Sequence, residues 1–195
     1  MHSYYIFYKP YLTISQFSPE GDKTTLAHHL PSIAKDVYPV GRLDHDSEGL
    51  LLLTNDKAIT NQLLNPSFAH KRTYYVQVEG TITQEAIDKL ENGVTITIDG
   101  KPYFTKKAEV KLLEQEPQLP PRNPPIRYRK NVPDSWVGIT LTEGKNRQVR
   151  RMTAAVGFPT LRLVRYAIGS VTIDGMQSGD CKVFDASIKS RLLNK

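Results

Sequence analysis

Leu50, Leu51, Leu52 and Leu53 form an unbroken apolar row bounded by turn-forming residues. A short run of this kind reads as a buried strand, around which the rest of a domain must be built. The approach to it is polar: Val40-Gly-Arg-Leu-Asp-His-Asp-Ser-Glu-Gly49. Arg42 stands two residues before Asp44, so Asp44 falls where a loop meets the rigid core. Reactive groups are often built at such junctions, because the strand fixes a position that the loop keeps accessible. The plainer role for a loop aspartate is to cap a turn.

Asp44, Asp46, Glu48 and Gly49 imitate the start of a calcium loop. That reading fails at the twelfth position, where Asn55 stands in place of a bidentate glutamate and an apolar strand in place of a helix. The five histidines show no Cys/His spacing that suits zinc. No metal and no cofactor is expected. The single cysteine, Cys181, excludes an internal disulfide framework, fits a reducing cytoplasm and is expected to do no more than pack. No apolar stretch approaches the length of a membrane span, and the N-terminus lacks the pattern of a signal peptide.

The net charge of +6 is concentrated. Between Pro121 and Arg165 lie ten basic side chains, eight of them arginines, against Asp134 and Glu143 alone. The rest of the chain is slightly acidic. Arginine forks suit phosphate and stack on bases, so the region reads as a nucleic-acid footprint rather than a solvated face of mixed sign.

The elements predicted along the chain are those of an α+β domain with a mixed, mainly antiparallel sheet and flanking helices. Strands are expected over Tyr4–Tyr8, Arg72–Glu79, Trp136–Leu141, Thr160–Tyr166 and Gly169–Ile173. Helices are expected over Thr24–Leu30, Asp56–Leu64 and Thr83–Leu90. A further helix runs through Val149, Met152 and Val156 to Gly157 and carries Arg147, Arg150 and Arg151 on another side. Val94–Ile98 and Thr105–Leu112 flank Asp99-Gly100 as a hairpin or nearly so. Six of the 13 prolines fall in residues 116–133, which therefore forms neither a helix nor a central strand. This arm is either a linker or, through Arg122, Arg127, Tyr128, Arg129 and Lys130, a stiff basic grip on RNA. The whole reads as one domain over 1–195, with two lobes at about 1–60 (joined by the C-terminal strands) and about 61–170.

Three motifs carry a resemblance. Gly41-Arg-Leu-Asp44 running into Gly49–Thr54, then Arg72-Thr-Tyr74, then Glu143-Gly-Lys-Asn-Arg-Gln-Val-Arg-Arg-Met152 resemble the pseudouridine synthases of the RsuA-like branch. Tyr8-Lys-Pro10 fits as well. Pro121–Arg127 and Met152–Arg162 are similar to members that modify large-subunit (23S) ribosomal RNA. The resemblance spans Ile6 to Gly169 and implies the fold of that catalytic domain, here without an N-terminal S4 RNA-binding domain. It implies Asp44 as nucleophile, Tyr74 against the target base and Arg150 paired with the aspartate. Arg42, Arg72 (where the family often has lysine), Arg122, Arg127, Arg129, Lys145, Arg147 and Arg151 would contact RNA. The implied substrate is a 23S rRNA stem-loop, bound by a monomer.

Pseudouridine formation breaks N1–C1′, turns the base and joins C5 to C1′, without redox, phosphate energy or metal. A carboxylate suits attack at C1′, attack at the ring or removal of a sugar proton, and a paired arginine favours its ionised form. Two other classes compete. A non-catalytic RNA-binding or ribosome-assembly protein would explain the charge, and a metal-dependent nuclease could use Asp44, Asp46 and Asp56.

Overall fold

The structure is a computed structural model that describes residues 2–127 and 132–193. In chain order it contains β1 (Tyr4–Lys9), β2 (Thr13–Ile14), β3 (Thr24–Thr25), α1 (Leu26–His29), β4 (Tyr38–Pro39), β5 (Glu48–Thr54), α2 (Lys57–Leu64) and β6 (Arg72–Glu79). There follow α3 (Gln84–Asn92), β7 (Thr95–Ile98), β8 (Lys101–Phe104), β9 (Glu109–Leu113), β10 (Asp134–Leu141), α4 (Gln148–Ala155), β11 (Thr160–Ile168), β12 (Val171–Thr172), β13 (Cys181–Phe184) and α5 (Ile188–Leu192).

Every residue of β5 is buried, as the leucine row requires. The strand sits inside a nine-stranded sheet of order β13-β1-β5-β11-β6-β10-β9, with β12 added to β11 and β4 to β5. All pairings in this sheet are antiparallel except β5 with β11. That parallel seam aligns Glu48 with Val164 and Gly49 with Arg165, and β11 in turn aligns Arg165 with Tyr74 of β6. The start of β5, Arg165 and Tyr74 therefore lie side by side across three strands. Gly49 permits this approach. Its φ is +103°, and a Cβ there would come 2.4 Å from the Arg165 carbonyl oxygen, so only glycine fits.

Apolar side chains gather in separate clusters along the sheet. Tyr4, Ile6, Leu50, Leu52, Ile59, Leu63 and Val164 pack with Ile188 and Leu192 of α5. Val76, Val137, Ile139, Ile87, Leu90, Val149 and Met152 pack α3 and α4 on β6 and β10. The other face of β5, Leu51 and Leu53, packs on Phe7, Leu26, Leu30 and Val37. None of the described helices is long and apolar enough to cross a membrane.

Local signals explain the element ends. Asp56 caps α2 by accepting from the amides of Ala58 and Ile59, and Thr83 caps α3 in the same way through Ala86. The expected hairpin at Asp99-Gly100 exists, with a different second strand. The two turn residues both have positive φ (48° and 76°), which makes a two-residue turn that pairs Ile98 directly with Lys101. Glu109–Leu113 is a separate strand on β10. The helix expected from Thr24 starts only at Leu26, because Thr24 and Thr25 pair with Thr13 and Ile14. Cys181, expected to pack, is exposed on β13.

Lys9 is fully buried, and its Nζ donates to the carbonyls of Thr13 (2.6 Å) and Pro10 (3.0 Å). Burial, only partly opposed by Glu48, Asp46 and Asp44, draws its pKa down to about 7. Below that pH the folded and unfolded chains both hold the proton, and the cost of burying the charge is fully present. Between about 7 and the ordinary lysine value near 10.4 the unfolded chain binds the proton and the folded chain does not, so stability rises with pH across this window. Urea unfolding from pH 6.5 to 9.5 is expected to show a gain on the order of 1–3 kcal/mol relative to Lys9→Met. Parallel curves for the two proteins would count against a buried titrating lysine.

Candidate active site

The loop that carries Asp44 is fastened at several points. Ser15 Oγ accepts from the Leu43 amide (3.0 Å) and donates to the Leu43 carbonyl (2.8 Å). The Ser47 amide closes a turn on the Asp44 carbonyl (3.0 Å), and the Leu12 amide binds His45 O (2.9 Å). Asp44 is left with a third of its side chain exposed. It faces a cavity of about 620 Å³ lined also by Arg42, Arg72, Tyr74, Lys145, Arg147 and Arg165.

The opposite wall is the turn before α4, and buried Glu143 sets it. Its carboxylate accepts from Tyr103 OH (2.5 Å), the Lys106 amide (2.9 Å) and Gln148 Nε2 (2.6 Å). Gln148 Oε1 in turn takes the Lys145 amide (2.9 Å). Arg147 then adopts a left-handed backbone (φ 51°, ψ 32°) before the first helical residue, and its guanidinium reaches back across the cavity mouth. It grips Asp46 with two 2.9 Å bonds and stands 3.5 Å from Asp44 Oδ2. Arg150, deeper on α4, donates to the Asp46 carbonyl and has Nε 3.4 Å from the Asp46 carboxylate. Burial raises the Asp46 pKa, but the hydrogen bonds of Arg147 and the charges of Arg150 and Arg147 outweigh it and leave the carboxyl below its usual range.

The arginine beside Asp44 is therefore Arg147, where the resemblance implies Arg150. The reason is geometric: the left-handed residue at the helix start projects toward the loop, whereas Arg150 lies a turn further along. Arg150 contributes to Asp44 by charge alone. Arg151, expected on the same side, points elsewhere and donates to Thr97 O and Asn146 Oδ1. Arg72 donates to Leu63 O while still lining the cavity.

The basic region is not wholly a surface. Arg162 is buried in a two-pronged ion pair with buried Glu48 (2.9 and 2.8 Å), and Arg165 is buried as well. The proline-rich arm is anchored: Arg162 donates to Pro120 O (2.7 Å), Leu119 packs on the core, and the Arg122 guanidinium lies 4.2 Å over the Tyr11 ring. Arg127 is exposed. Tyr128, Arg129 and Lys130 lie outside the described residues. Asp56 does not join Asp44 and Asp46 as a third acid. It accepts from Tyr4 OH (2.7 Å) and pairs with Lys189 (2.6 Å), and among the described residues no cluster of three potential metal ligands forms.

The sequence reading missed Ser15, Glu143 and Gln148 as the fasteners of the two walls, and it counted Arg165 as surface charge. A warning was present in Arg165 itself, a charge within a strand of otherwise mostly apolar neighbours.

A family model described as RNA pseudouridylate synthase matches residues 3–155. The chain belongs to that family. It is 49% identical over 177 residues to ribosomal large subunit pseudouridine synthase E of Vibrio vulnificus, covering 91% of this chain and 73% of the relative. Against the protein of the same name from Xanthomonas axonopodis pv. citri it is 52% identical over 170 residues, 86% of each chain. Ribosomal large subunit pseudouridine synthase B of Bacillus subtilis is 34% identical over 92% of this chain and 66% of its own. A crystal structure of a pseudouridylate synthase superposes with a TM-score of 0.77 over 98% of this chain and 74% of that one, at 24% identity. Human RNA pseudouridylate synthase domain containing 1 gives 0.57 at 16% identity, over 84% and 73%. These two likenesses concern the fold. The chain is thus an RNA pseudouridine synthase whose sheet is the one its family shares.

Proposed function

We propose that this synthase converts a uridine in a stem-loop of large-subunit ribosomal RNA to pseudouridine, with Asp44 as nucleophile. The observation that carries the reading is the convergence of Asp44, Tyr74 and Arg147 on one cavity, supported by relatives at about half identity that are named for the ribosomal large subunit. The proposed sequence of events begins with a uridine turned out of its stack and laid against Tyr74, whose ring offers a flat apolar face. Asp44, beside Arg147, takes C1′ as N1 departs; the base turns, and C5 replaces the carboxylate. Arg42 and Lys145 at the cavity rim hold the flanking phosphates, with Arg150 supporting the acidic loop from behind. On this reading the chain works in the cytoplasm as a single monomeric catalytic domain.

Tritium release from a large-subunit rRNA transcript labelled at uridine C5, with chelator present, tests the proposal. Joining C5 to C1′ expels the C5 hydrogen, so release reports isomerisation rather than binding or cleavage. The expected result is release by the wild type. No release from naked rRNA or from ribosomal particles would leave an RNA-binding protein that keeps the fold without this reaction.

The arm is proposed to grip the same RNA, because Arg122 is stacked on Tyr11 and Arg127 is exposed. Replacing Arg122, Arg127 and Arg129 together by alanine is expected to flatten the log–log salt dependence of RNA binding by roughly 2, since each lost phosphate contact releases fewer counterions. Filter binding at several salt concentrations measures this. An unchanged slope would reduce the arm to a linker.

A further inference from the structure

Two arginines of β11 are buried, and the fold treats them differently. Arg162 is neutralised by Glu48. Arg165, only 4% exposed, has no such partner among the described residues. Its Nε donates to the Leu50 carbonyl (2.7 Å), and its Nη2 is buried without a hydrogen bond. Among the described residues, the charged and polar side chains that act on it are Tyr74, Arg72 and buried Lys9, with no acid among them. Arginine stays protonated in proteins, so the cavity lining holds a positive charge that no acid among the described residues balances. A buried unpaired cation is costly, and its persistence beside Tyr74 points to an anion supplied from outside.

We propose that Arg165 balances the negative charge of the uracil while the base is detached from its sugar. The inference rests on the reading of this cavity as the synthase site. When N1–C1′ breaks, the bonding electron pair leaves with N1 and spreads to O2 and O4, while C1′ bonds to the Asp44 carboxylate. In the second half C5 attacks C1′, the carboxylate leaves, the C5 proton is lost to water, and N1 takes up a proton from water to give the neutral product. Substrate and product are neutral bases; only the detached base is an anion. A charge fixed in advance on a rigid strand, with its Nε tied to β5 and its residue opposite Tyr74, favours that intermediate over both. Arg165 acts here through the field it sets behind Tyr74, so its contribution depends on how much stabilisation the leaving base needs.

That dependence is the test. A stem-loop containing the uridine that wild type converts is prepared with uridine or with 5-fluorouridine at that position. Fluorine withdraws electrons and stabilises the same anion, so the fluorinated base needs less help. Single-turnover loss of the target nucleoside is followed in nuclease digests. Arg165→Met is expected to slow the uridine substrate roughly 100-fold and the fluorinated one far less. Arg165→Lys, which keeps the charge, should restore much of the loss. RNA affinity and melting temperature are measured alongside, and Arg165→Gln takes the same comparison if the methionine variant does not fold. Equal slowing of both substrates would make Arg165 a structural residue and overturn the proposal. Failure of wild type to isomerise uridine would instead remove the parent reading, and this inference with it.

Discussion

Asp44→Asn is expected to release no measurable tritium from C5-labelled rRNA, a loss of roughly 10⁴-fold or more if the carboxylate is the nucleophile, while RNA affinity stays within a few fold. The two side chains are nearly the same shape, and only one can take C1′. Binding should survive because Arg147 is not held by Asp44. Its two 2.9 Å bonds go to Asp46, and Asp44 is a more distant neighbour at 3.5 Å. Asp46→Asn is the informative control. It weakens the anchor shared by Arg147 and Arg150, so it should lower activity and RNA affinity together. If Asp44→Asn lost RNA binding as well as activity, Asp44 would be a structural residue of the loop and the chemistry would need another nucleophile.

The second large effect is on stability. Glu48→Ala is expected to cost about 3–5 kcal/mol, because it strands the Arg162 guanidinium in the core. Glu48 and Arg162 are each under a tenth exposed, and no water replaces the missing carboxylate cheaply. Burial lowers the Arg162 pKa, but Glu48, with a smaller contribution from Glu116, more than restores it, so the arginine depends chiefly on Glu48. The pair also links three parts of the chain, since Arg162 binds Pro120 in the arm and Glu48 follows the Asp44 loop. Replacing both partners, as in Glu48→Met with Arg162→Leu, is expected to recover most of the loss, because a pair removed whole leaves no unbalanced charge. Urea unfolding of the two singles and the double closes the cycle. A Glu48→Ala variant within about 1 kcal/mol of wild type would mean that the pair contributes no more than a surface ion pair.

Local patterns were legible wherever one residue's physics decides the outcome. The leucine row between turn formers reads as buried strand, and it is one. Asp56 and Thr83 announced the starts of α2 and α3, and Arg72–Glu79 was read with the bounds it has in the structure. At the hairpin, local pattern alone does not decide the second strand. Asp99-Gly100 correctly signalled a tight turn, but Lys101–Phe104, with a proline and mixed polarity, does not look like a strand until Thr95–Ile98 pairs with it. The edge strand β13 and helix α5 went unread for the same reason: β13 has an exposed, charged face, and it exists because β1 offers an unpaired edge.

The chemistry available to this protein is already written in its amino acids: a carboxylate at a loop-to-strand junction, a strand tyrosine, a basic helix start, and motifs in the order of an RNA pseudouridine synthase. Only the tertiary structure decided which charges meet. Arg147, Arg150, Arg151, Arg162 and Arg165 are alike in composition, yet one stands beside Asp44, one braces Asp46, one turns to β7, one is neutralised in the core and one, opposite Tyr74, is buried with no acid beside it among the described residues. Charge is carried by the residue, but its partner and its dielectric surroundings are set by strand register and by the backbone angle at a single position, Arg147, and these exist only once residues far apart in sequence have packed together.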